Sequence, residues 1–276
     1  MNQTQEQSHE TNQLRAREVV ASALARALAD PRRPGLEFPL TTQDQSLLHD
    51  AWCALADPHP DLEPAGLGLG EVPPSSVDSG PLLRWLALEQ PEREAIDQLI
   101  FGLVISKTCP PYETEYCHWK DPTYRAHQLA DVAGFYRAFG VEPDTTRPER
   151  HDHVALELEF VALALSRQRT AMLRGHHEQA DVCRDALAKF LRDHLVWWLP
   201  TFGRCLEHRI ERLLTDGCDG AVAEHLKDFL GVALFLRAWV AIERIACNVE
   251  PSRQMIAPQV DAGLMELCSE TCKSCL

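Results

Sequence analysis

The chain has 276 residues, and 45% of them are apolar, which is enough for one large helical domain or two small ones with a real core. A disordered chain is therefore not the default expectation. Asp and Glu number 41 against 27 Lys and Arg, so the formal charge is −14, which argues against nucleic acid as a partner and favours plain solubility or a cationic partner.

The first residues, MNQTQEQSHETNQ, have neither the basic nor the apolar region of a secretory signal and predict a frayed polar lead. The longest apolar run, residues 229–242, is interrupted by Arg237 and is shorter than the roughly 18 to 20 residues of a membrane span. It predicts a central buried helix and no stable membrane insertion. Without an export signal, the ten cysteines belong in a reducing compartment as thiols, so we predict a cytoplasmic protein.

Helical periodicity runs through nearly every segment, whereas alternating strands bounded by hairpin turns are missing. The predicted fold is all-α, a multi-helix bundle. Helices are expected from Gln13 to the breaker at Pro31, from Thr41 or Thr42, in PLLRWLALEQ, after Pro91, from Tyr124 to Phe139, and from near Asp152, His177, Phe202 and Gly220. We divide the chain into a lead and first helix (1–40), an all-helical domain (41–250) with a hinge near 141–152, and a C-terminal tail (251–276).

Two irregular segments interrupt the helices. Residues 58–80 are rich in Pro, Gly and Ser and predict a long surface loop. Its GLGLG stretch does not follow a strand or open a helix, so it is not a phosphate-binding turn. The second segment, residues 107–122 (KTCPPYETEYCHWKDP), combines aromatic and acidic side chains, a composition that is common where peptides are recognised.

The motif ERHDHVALELEF, residues 149–160, places acids and two histidines directly before an apolar helix. Asp152 stands where an N-cap is expected. Glu149, His153 and Glu157 are spaced by four and can present two carboxylates and an imidazole to a metal, but no HExxH or second His/Asp cluster supplies more ligands. No hydrolase elbow or Walker A loop occurs. A helix cap, a metal or acid/base site and a polar recognition surface therefore remain as alternatives.

The order of PPYETEY, LADVAGFYRAFGVEP and ERHDHVALELEF resembles the TorD/DmsD family of cytoplasmic redox-enzyme maturation chaperones. The resemblance in layout covers about residues 47–248, and its specific motifs lie in residues 110–160. Members of that family carry a Glu-x-x-Asp-His signature before a helix with Glu-Leu-x-Phe, here Glu149, Asp152 and His153, then Glu157, Leu158 and Phe160. Many members have Pro within the signature, where this chain has Arg150 and His151.

The resemblance implies a non-enzymatic chaperone that binds the twin-arginine signal peptide of a molybdopterin-containing oxidoreductase. It would hold that enzyme back from export until the cofactor is inserted. Carboxylates accept hydrogen bonds from guanidinium groups and aromatic rings stack on them, so the chemistry is compatible. The predicted peptide-binding residues are Tyr112, Glu113, Tyr116, Trp119, Glu149, Asp152 and His153.

Several alternatives stay open at this stage. His153 either contacts the peptide or orients the motif through a hydrogen bond. The client is either an exported enzyme with a twin-arginine leader or a molybdoenzyme that is not exported. A third class is a helical metal-binding protein, which would hold stoichiometric metal.

The C-terminal sequence CSETCKSC places Cys268, Cys272 and Cys275 in a C-x3-C-x2-C pattern. Radical SAM enzymes bind an iron–sulfur cluster with this spacing, although near the start of a barrel and not at a chain end. Cys109 or Cys117 can supply a fourth thiolate to iron–sulfur or zinc. The family resemblance requires no such cofactor, and a tail with incidental thiols is the competing interpretation.

Overall fold

The computed structural model describes residues 3–36, 38–56, 66–102, 108–117, 122–143, 149–256 and 258. Within these ranges all regular structure is helical, apart from one isolated antiparallel bridge. The helices are α1 (Gln3–Leu28), α2 (Thr42–Ala56), α3 (Gly80–Leu86), α4 (Gln90–Phe101), α5 (Pro122–Ala138), α6 (Val154–Leu173), α7 (His177–Phe190), α8 (Leu199–Thr215) and α9 (Gly220–Ala246). The prediction of an all-α bundle is confirmed.

Helix α9 lies in the middle of the core, as its apolar run predicts. Phe229, Phe235 and Trp239 are almost completely buried there. The helix packs on α8 and α3, while α1 packs along α6 and against α2. Within the described ranges, no helix is both long enough and apolar enough to cross a membrane.

The prediction of a frayed N-terminal lead is wrong for the residues that the structure describes. Helix α1 begins at Gln3, well before its buried apolar half. Thr11 is largely buried, and the Gln7 side-chain amide donates to the carbonyl of Met172 at the end of α6, at 3.4 Å. Helix formation is cooperative, so the packed half of α1 propagates into a polar segment that would be marginal alone.

Three buried ion pairs connect α9 to other parts of the chain, and their members are Arg17 with Glu243, Arg237 with Glu207, and Arg244 with Glu71. The break in the apolar run at Arg237 is therefore a paired charge, which is how charged side chains are tolerated inside a protein. Arg237 and Arg244 also donate to the carbonyls of Gly70 and Gly66, at 2.5 and 2.7 Å.

These contacts anchor the GLGLG stretch, which lies at the surface as predicted, with Leu69 51% exposed. Its carbonyl oxygens accept hydrogen bonds from α9, and Glu71 beside it is buried. The stretch is irregular, as predicted, but it packs against α9, while residues 57–65 of the predicted loop lie outside the described ranges.

The helix ends around the motif follow local sequence signals. Helix α5 stops before Gly140, whose φ of 62° lies in the left-handed region that glycine adopts readily. After α7 the chain makes one wide π-type turn, Leu191–Leu195, and α8 starts at Leu199 with Pro200 in its first turn. The break predicted at WWLP is present and turns Trp198 into the core.

Candidate functional site

Two segments distant in sequence meet in front of α6. Residues 108–117 and 149–153 pair as a short antiparallel bridge at Tyr112 and His153. Two backbone hydrogen bonds flank it, from Glu113 N–H to the carbonyl of Asp152 at 3.0 Å and from Val154 N–H to the carbonyl of Pro111 at 2.9 Å. We call this pairing and the side chains on it the bridge site. It joins two of the three segments that carry the family resemblance, PPYETEY and ERHDHVALELEF.

Asp152 is the buried acceptor at the centre of the bridge site. Its side chain is completely inaccessible to solvent. Its Oδ2 accepts hydrogen bonds from the backbone N–H of Thr114 at 3.0 Å and from the Thr114 hydroxyl at 2.8 Å. The prediction that Asp152 caps the helix is therefore wrong, because its carboxylate is committed to the opposite segment of the bridge.

His153 is the N-cap of α6, one residue later than predicted. Its Nδ1 accepts a hydrogen bond from the backbone N–H of Ala155 at 3.1 Å. Burial lowers the pKa of His153, although the carboxylates of Glu149 and Asp152 act in the opposite direction. The neutral imidazole is the form that can accept this bond. Of the two predicted roles for His153, orientation of the motif is the one that the geometry shows.

The side chain of Arg150 lies across the bridge site. Its Nε and Nη2 donate to the two carboxylate oxygens of Asp152 at 3.0 and 2.8 Å, a bidentate arrangement. Nη2 also donates to the Thr114 hydroxyl at 2.6 Å, and Nη1 to Glu115 Oε1 at 3.0 Å. The guanidinium carbon stands 4.2 Å from the centroid of the Tyr112 ring. Burial would lower the pKa of Arg150, but the carboxylates outweigh it and raise that pKa.

Glu149 and Tyr112 form the half-buried edge of the bridge site. The Tyr112 hydroxyl donates to Glu149 Oε1 at 3.2 Å, and the backbone N–H of Arg150 donates to the same oxygen at 2.8 Å. Burial, together with the Glu149 carboxylate, raises the pKa of the Tyr112 hydroxyl. Both side chains reach solvent, so they remain candidates for direct contact with a peptide.

Below the bridge, Glu113 points into the core. It accepts a hydrogen bond from the Gln128 side-chain amide at 2.7 Å and faces His194 Nδ1 at 3.2 Å. His194 Nε2 in turn lies 3.2 Å from Asp131 Oδ2. Burial raises the pKa of Glu113, although the hydrogen bonds from His194 and Gln128 oppose the shift. Glu113 thus ties the bridge to α5 and to the turn after α7.

Glu157, one turn into α6, is also completely buried. Burial raises its pKa well above the ordinary value, and the charges of Glu113 and Asp152 raise it further. The predicted face of Glu149, His153 and Glu157 does not form, because α6 begins at Val154 and leaves Glu149 outside the helix. Within the described ranges, no group of three His, Cys, Asp or Glu side chains is arranged to hold a metal.

The other predicted contact residues have different positions. Tyr116 is completely buried, with its ring 5.3 Å from that of Trp198, so it supports the bridge site from inside. Trp119 lies outside the described ranges, as do Cys268, Cys272 and Cys275. Cys109 and Cys117, the candidates for a fourth thiolate, are both buried, and burial raises the pKa of Cys117 to about 12.

Two open grooves border the bridge site. One, of about 320 Å³, has an apolar floor of Tyr136, Leu156, Phe160 and Leu163, with charged side chains at its rim. Tyr136 connects this groove to the motif, since its hydroxyl donates to the carbonyl of His151 at 2.8 Å. The other groove, of about 410 Å³, is more polar and is lined by side chains that include Cys117, Tyr124, Gln128, Trp197 and Arg253.

Sequence reasoning missed the side chains that complete the bridge site. These are Thr114, Glu115, Gln128, Tyr136, Arg150 and His194. One signal was available, because an arginine two residues before a motif aspartate can fold back onto its carboxylate. The partners from α5 and from the turn after α7 leave no such local trace.

Comparison with known proteins gives a family match that spans the bridge site and partial matches to curated relatives. Residues 82–204, somewhat under half of the chain, match the family described as "Nitrate reductase delta subunit". The chain is 34% identical over 79 residues to the chlorate reductase assembly chaperone protein of Ideonella dechloratans and 35% identical over 79 residues to the selenate reductase assembly chaperone protein of Thauera selenatis. It is 33% identical over 84 residues to the chaperone protein TorD of Vibrio cholerae.

These matches are partial. Each of the first two covers 29% of this chain and 40% of the relative, and the third covers 30% and 35%. The aligned region therefore spans about two fifths of the length of the curated relatives. Together with the family match, they confirm the resemblance to the TorD/DmsD family.

Proposed function

We propose, from the confirmed resemblance to the TorD/DmsD family, that this protein is a non-catalytic chaperone for the assembly of a reductase. The client is a molybdopterin-containing oxidoreductase catalytic subunit with a twin-arginine leader. The chaperone binds the leader in the cytoplasm and holds the enzyme for cofactor insertion before export. Neither nucleic acid nor stable membrane insertion has a part in this function.

One observation carries the proposal: the bridge site already binds a guanidinium group. The carboxylate of Asp152, the hydroxyl of Thr114 and the ring of Tyr112 surround the guanidinium of Arg150. A planar donor of this kind matches the two carboxylate oxygens, whereas a lysine ammonium is a single point charge. The contacts of Arg150 therefore support the proposal that these groups recognise an arginine of a leader.

The predicted contact residues divide into two groups in this proposal. Glu149 and Tyr112, with Trp119, meet the leader directly. The others are buried and stabilise the bridge site from inside, namely Glu113, Tyr116, Asp152 and His153. Among them, Asp152 supplies the carboxylate that accepts hydrogen bonds from a guanidinium group. A second arginine of the leader would meet Glu149 at the exposed edge.

The apolar segment that follows paired arginines in such a leader also needs a binding surface. The groove over Tyr136, Leu156 and Phe160 offers one directly beside the motif, because Tyr136 contacts both the groove and the carbonyl of His151. Apolar side chains of the leader would bury their surface there, which is the usual source of affinity in helix-in-groove or extended-peptide recognition.

The test is calorimetric titration of the purified protein with a synthetic twin-arginine leader of a molybdopterin oxidoreductase, and with the same peptide carrying Lys-Lys. We expect the Lys-Lys peptide to bind roughly ten- to hundredfold more weakly, the usual loss for a charge-assisted hydrogen bond. Glu149→Gln should weaken binding of the Arg-Arg peptide, and it should reduce the difference in affinity between the Arg-Arg and Lys-Lys peptides. Glu211→Gln, on the exposed face of α8, is the matched control.

A second candidate is a chaperone for a molybdoenzyme that is not exported. This second candidate predicts that the protein does not bind an isolated leader but co-purifies with a catalytic subunit that has no leader.

The cysteine site at Cys268, Cys272 and Cys275 remains a separate proposal, in which iron–sulfur or zinc is bound in addition to the chaperone function. Equal binding of the Arg-Arg and Lys-Lys peptides would contradict arginine recognition at the bridge site.

A further inference from the structure

The guanidinium group of Arg150 uses all of its nitrogens in the bridge site. It makes four hydrogen bonds, two with Asp152 and one each with Thr114 and Glu115, and it stacks on Tyr112. Such a set of contacts is usual for an arginine ligand bound in a recognition site. Here the arginine belongs to the same chain.

The acceptor does not depend on Arg150 for its position. Asp152 is held by the N–H and hydroxyl of Thr114, and its own carbonyl accepts from Glu113 in the bridge. The Arg150 side chain, by contrast, is about one third exposed, at 32%, while that of Asp152 is inaccessible. The groups that bind the guanidinium are therefore fixed by the pairing of the two segments. The guanidinium itself reaches them from the solvent side.

We propose that the bridge site is a guanidinium-binding site that Arg150 fills from within the chain, and that a client arginine binds by displacing it. The site itself follows from the contacts of Arg150, and only the identity of the displacing arginine rests on the proposed function. Arg150 thereby sets both affinity and selectivity. A ligand that replaces it must offer the same planar set of donors, which a lysine cannot.

Displacement by an equivalent group has a quantitative consequence. The affinity of a ligand is reduced by the fraction of molecules in which its site is open. If the site is filled by Arg150 in at least nine molecules of ten, removal of that side chain should tighten the binding of a twin-arginine peptide by roughly tenfold or more. A purely structural arginine would have the opposite effect, because its loss would loosen the site.

The first experiment uses a small probe and needs no client. Arg150→Ala should lower the melting temperature, because it leaves a buried carboxylate without its charged partner. Ethylguanidinium in the low-millimolar range should raise it again in a saturable way, since a ligand that binds the native state stabilises it. Ethylammonium should do so weakly or not at all, and the wild type should respond to neither.

The double variant Arg150→Ala with Asp152→Asn is the control, because it removes the acceptor carboxylate as well. It should lose the ethylguanidinium response. Equal rescue by ethylguanidinium and ethylammonium, or equal rescue of the double variant, would overturn the site. If the alanine variant does not fold, Arg150→Lys is the second variant, because it keeps a cation beside Asp152. This lysine variant should bind the twin-arginine peptide more tightly than the wild type does.

The second experiment measures the twin-arginine peptide on the wild type and the Arg150 variants by calorimetry. Tighter binding to Arg150→Ala supports displacement, and weaker or unchanged binding rejects it. Rescue by ethylguanidinium without peptide binding to any variant would retain the guanidinium site while rejecting the twin-arginine client. The failure of the inference and the failure of the proposed function are thus separable.

Discussion

His153 couples the bridge site to the start of α6 through a single side-chain hydrogen bond. Its imidazole caps the helix by accepting from Ala155 N–H, a role more often filled by Ser, Thr, Asp or Asn. The motif histidine therefore has a structural use that does not require contact with a ligand.

We expect His153→Ala to lower the free energy of unfolding by about 1 kcal/mol, the usual cost of losing an N-cap. His153→Asn should retain most of this stabilisation, because asparagine can also cap a helix. Because burial lowers the pKa of His153 in the folded state, the unfolded state takes up a proton first, and the wild type should lose stability as the pH falls below about 6.5. Urea unfolding at several pH values measures both effects.

His208, exposed on α8, provides the matched control for this prediction. Replacing it with Ala should leave both the stability and its pH dependence unchanged. An alanine variant at position 153 as stable as the asparagine variant would show that the cap is dispensable.

Glu157 predicts a pH dependence of opposite sign. Its folded-state pKa is raised, so its protonated form favours folding below the ordinary glutamate pKa, and this contribution is lost as the pH rises through the folded pKa. Glu157→Gln imitates the protonated form. We expect it to raise the free energy of unfolding near pH 7 and to have little effect near pH 4.

Denaturant titrations of Glu157→Gln and of the exposed control Glu211→Gln at both pH values provide the measurement. The control should behave as the wild type does. A glutamine variant that is less stable than the wild type near pH 7 would mean that the ionised carboxylate is needed in the core.

The misplaced cap at Asp152 shows where residue-level prediction ends. The local sequence correctly indicated that a polar side chain caps α6 near this position. It could not indicate that Thr114, 38 residues away along the chain, donates a hydrogen bond to the Asp152 carboxylate. Tertiary partners decide between two polar neighbours that local propensity treats alike.

At the scale of elements, the contact of α9 with α3 is set by a glycine. A Cβ built on Gly231 would lie 2.2 Å from Cβ of Pro81, a distance that no relaxed structure tolerates. The two helices therefore approach each other as closely as their backbones allow.

We expect Gly231→Ala to destabilise the protein by about 2 kcal/mol or more, since overpacking forces either the proline ring or the helix to move. Gly134→Ala on α5 is the counterpart, because nothing lies within 4 Å of its added methyl group. It should stabilise by up to about 1 kcal/mol through helix propensity. Thermal unfolding of the two variants compares them directly; equal effects would contradict the close contact.

Periodicity and capping signals predicted most helices, and they did so best where burial and local sequence agree, as in α9. They failed at α1, whose polar start is helical and contacts the end of α6 through the hydrogen bond of Gln7 with Met172. Local signals could not indicate that arginines of α9, more than 160 positions away, donate hydrogen bonds to carbonyls of the GLGLG stretch. The bridge site was predicted as two separate segments, and its assembly needed the fold.

For the molecule as a whole, the region matched by the family, residues 82–204, is not a separate unit. Its helix α6 packs along α1, and its helix α3 packs on α9, and both α1 and α9 lie outside it. The flanking helices complete the core beneath the bridge site. Contacts across the whole described chain therefore support the segment that carries the resemblance.

The bridge between Tyr112 and His153 has a consequence for which substitutions its pairing tolerates. Its two flanking hydrogen bonds use only main-chain groups, so the pairing does not require any particular side chain on its outer face. Substitutions at Glu115, Glu149 or Arg150 therefore change the charge of this face without removing either main-chain hydrogen bond. The register of the two segments is thus independent of the side chains that determine the charge and the stability of the bridge site.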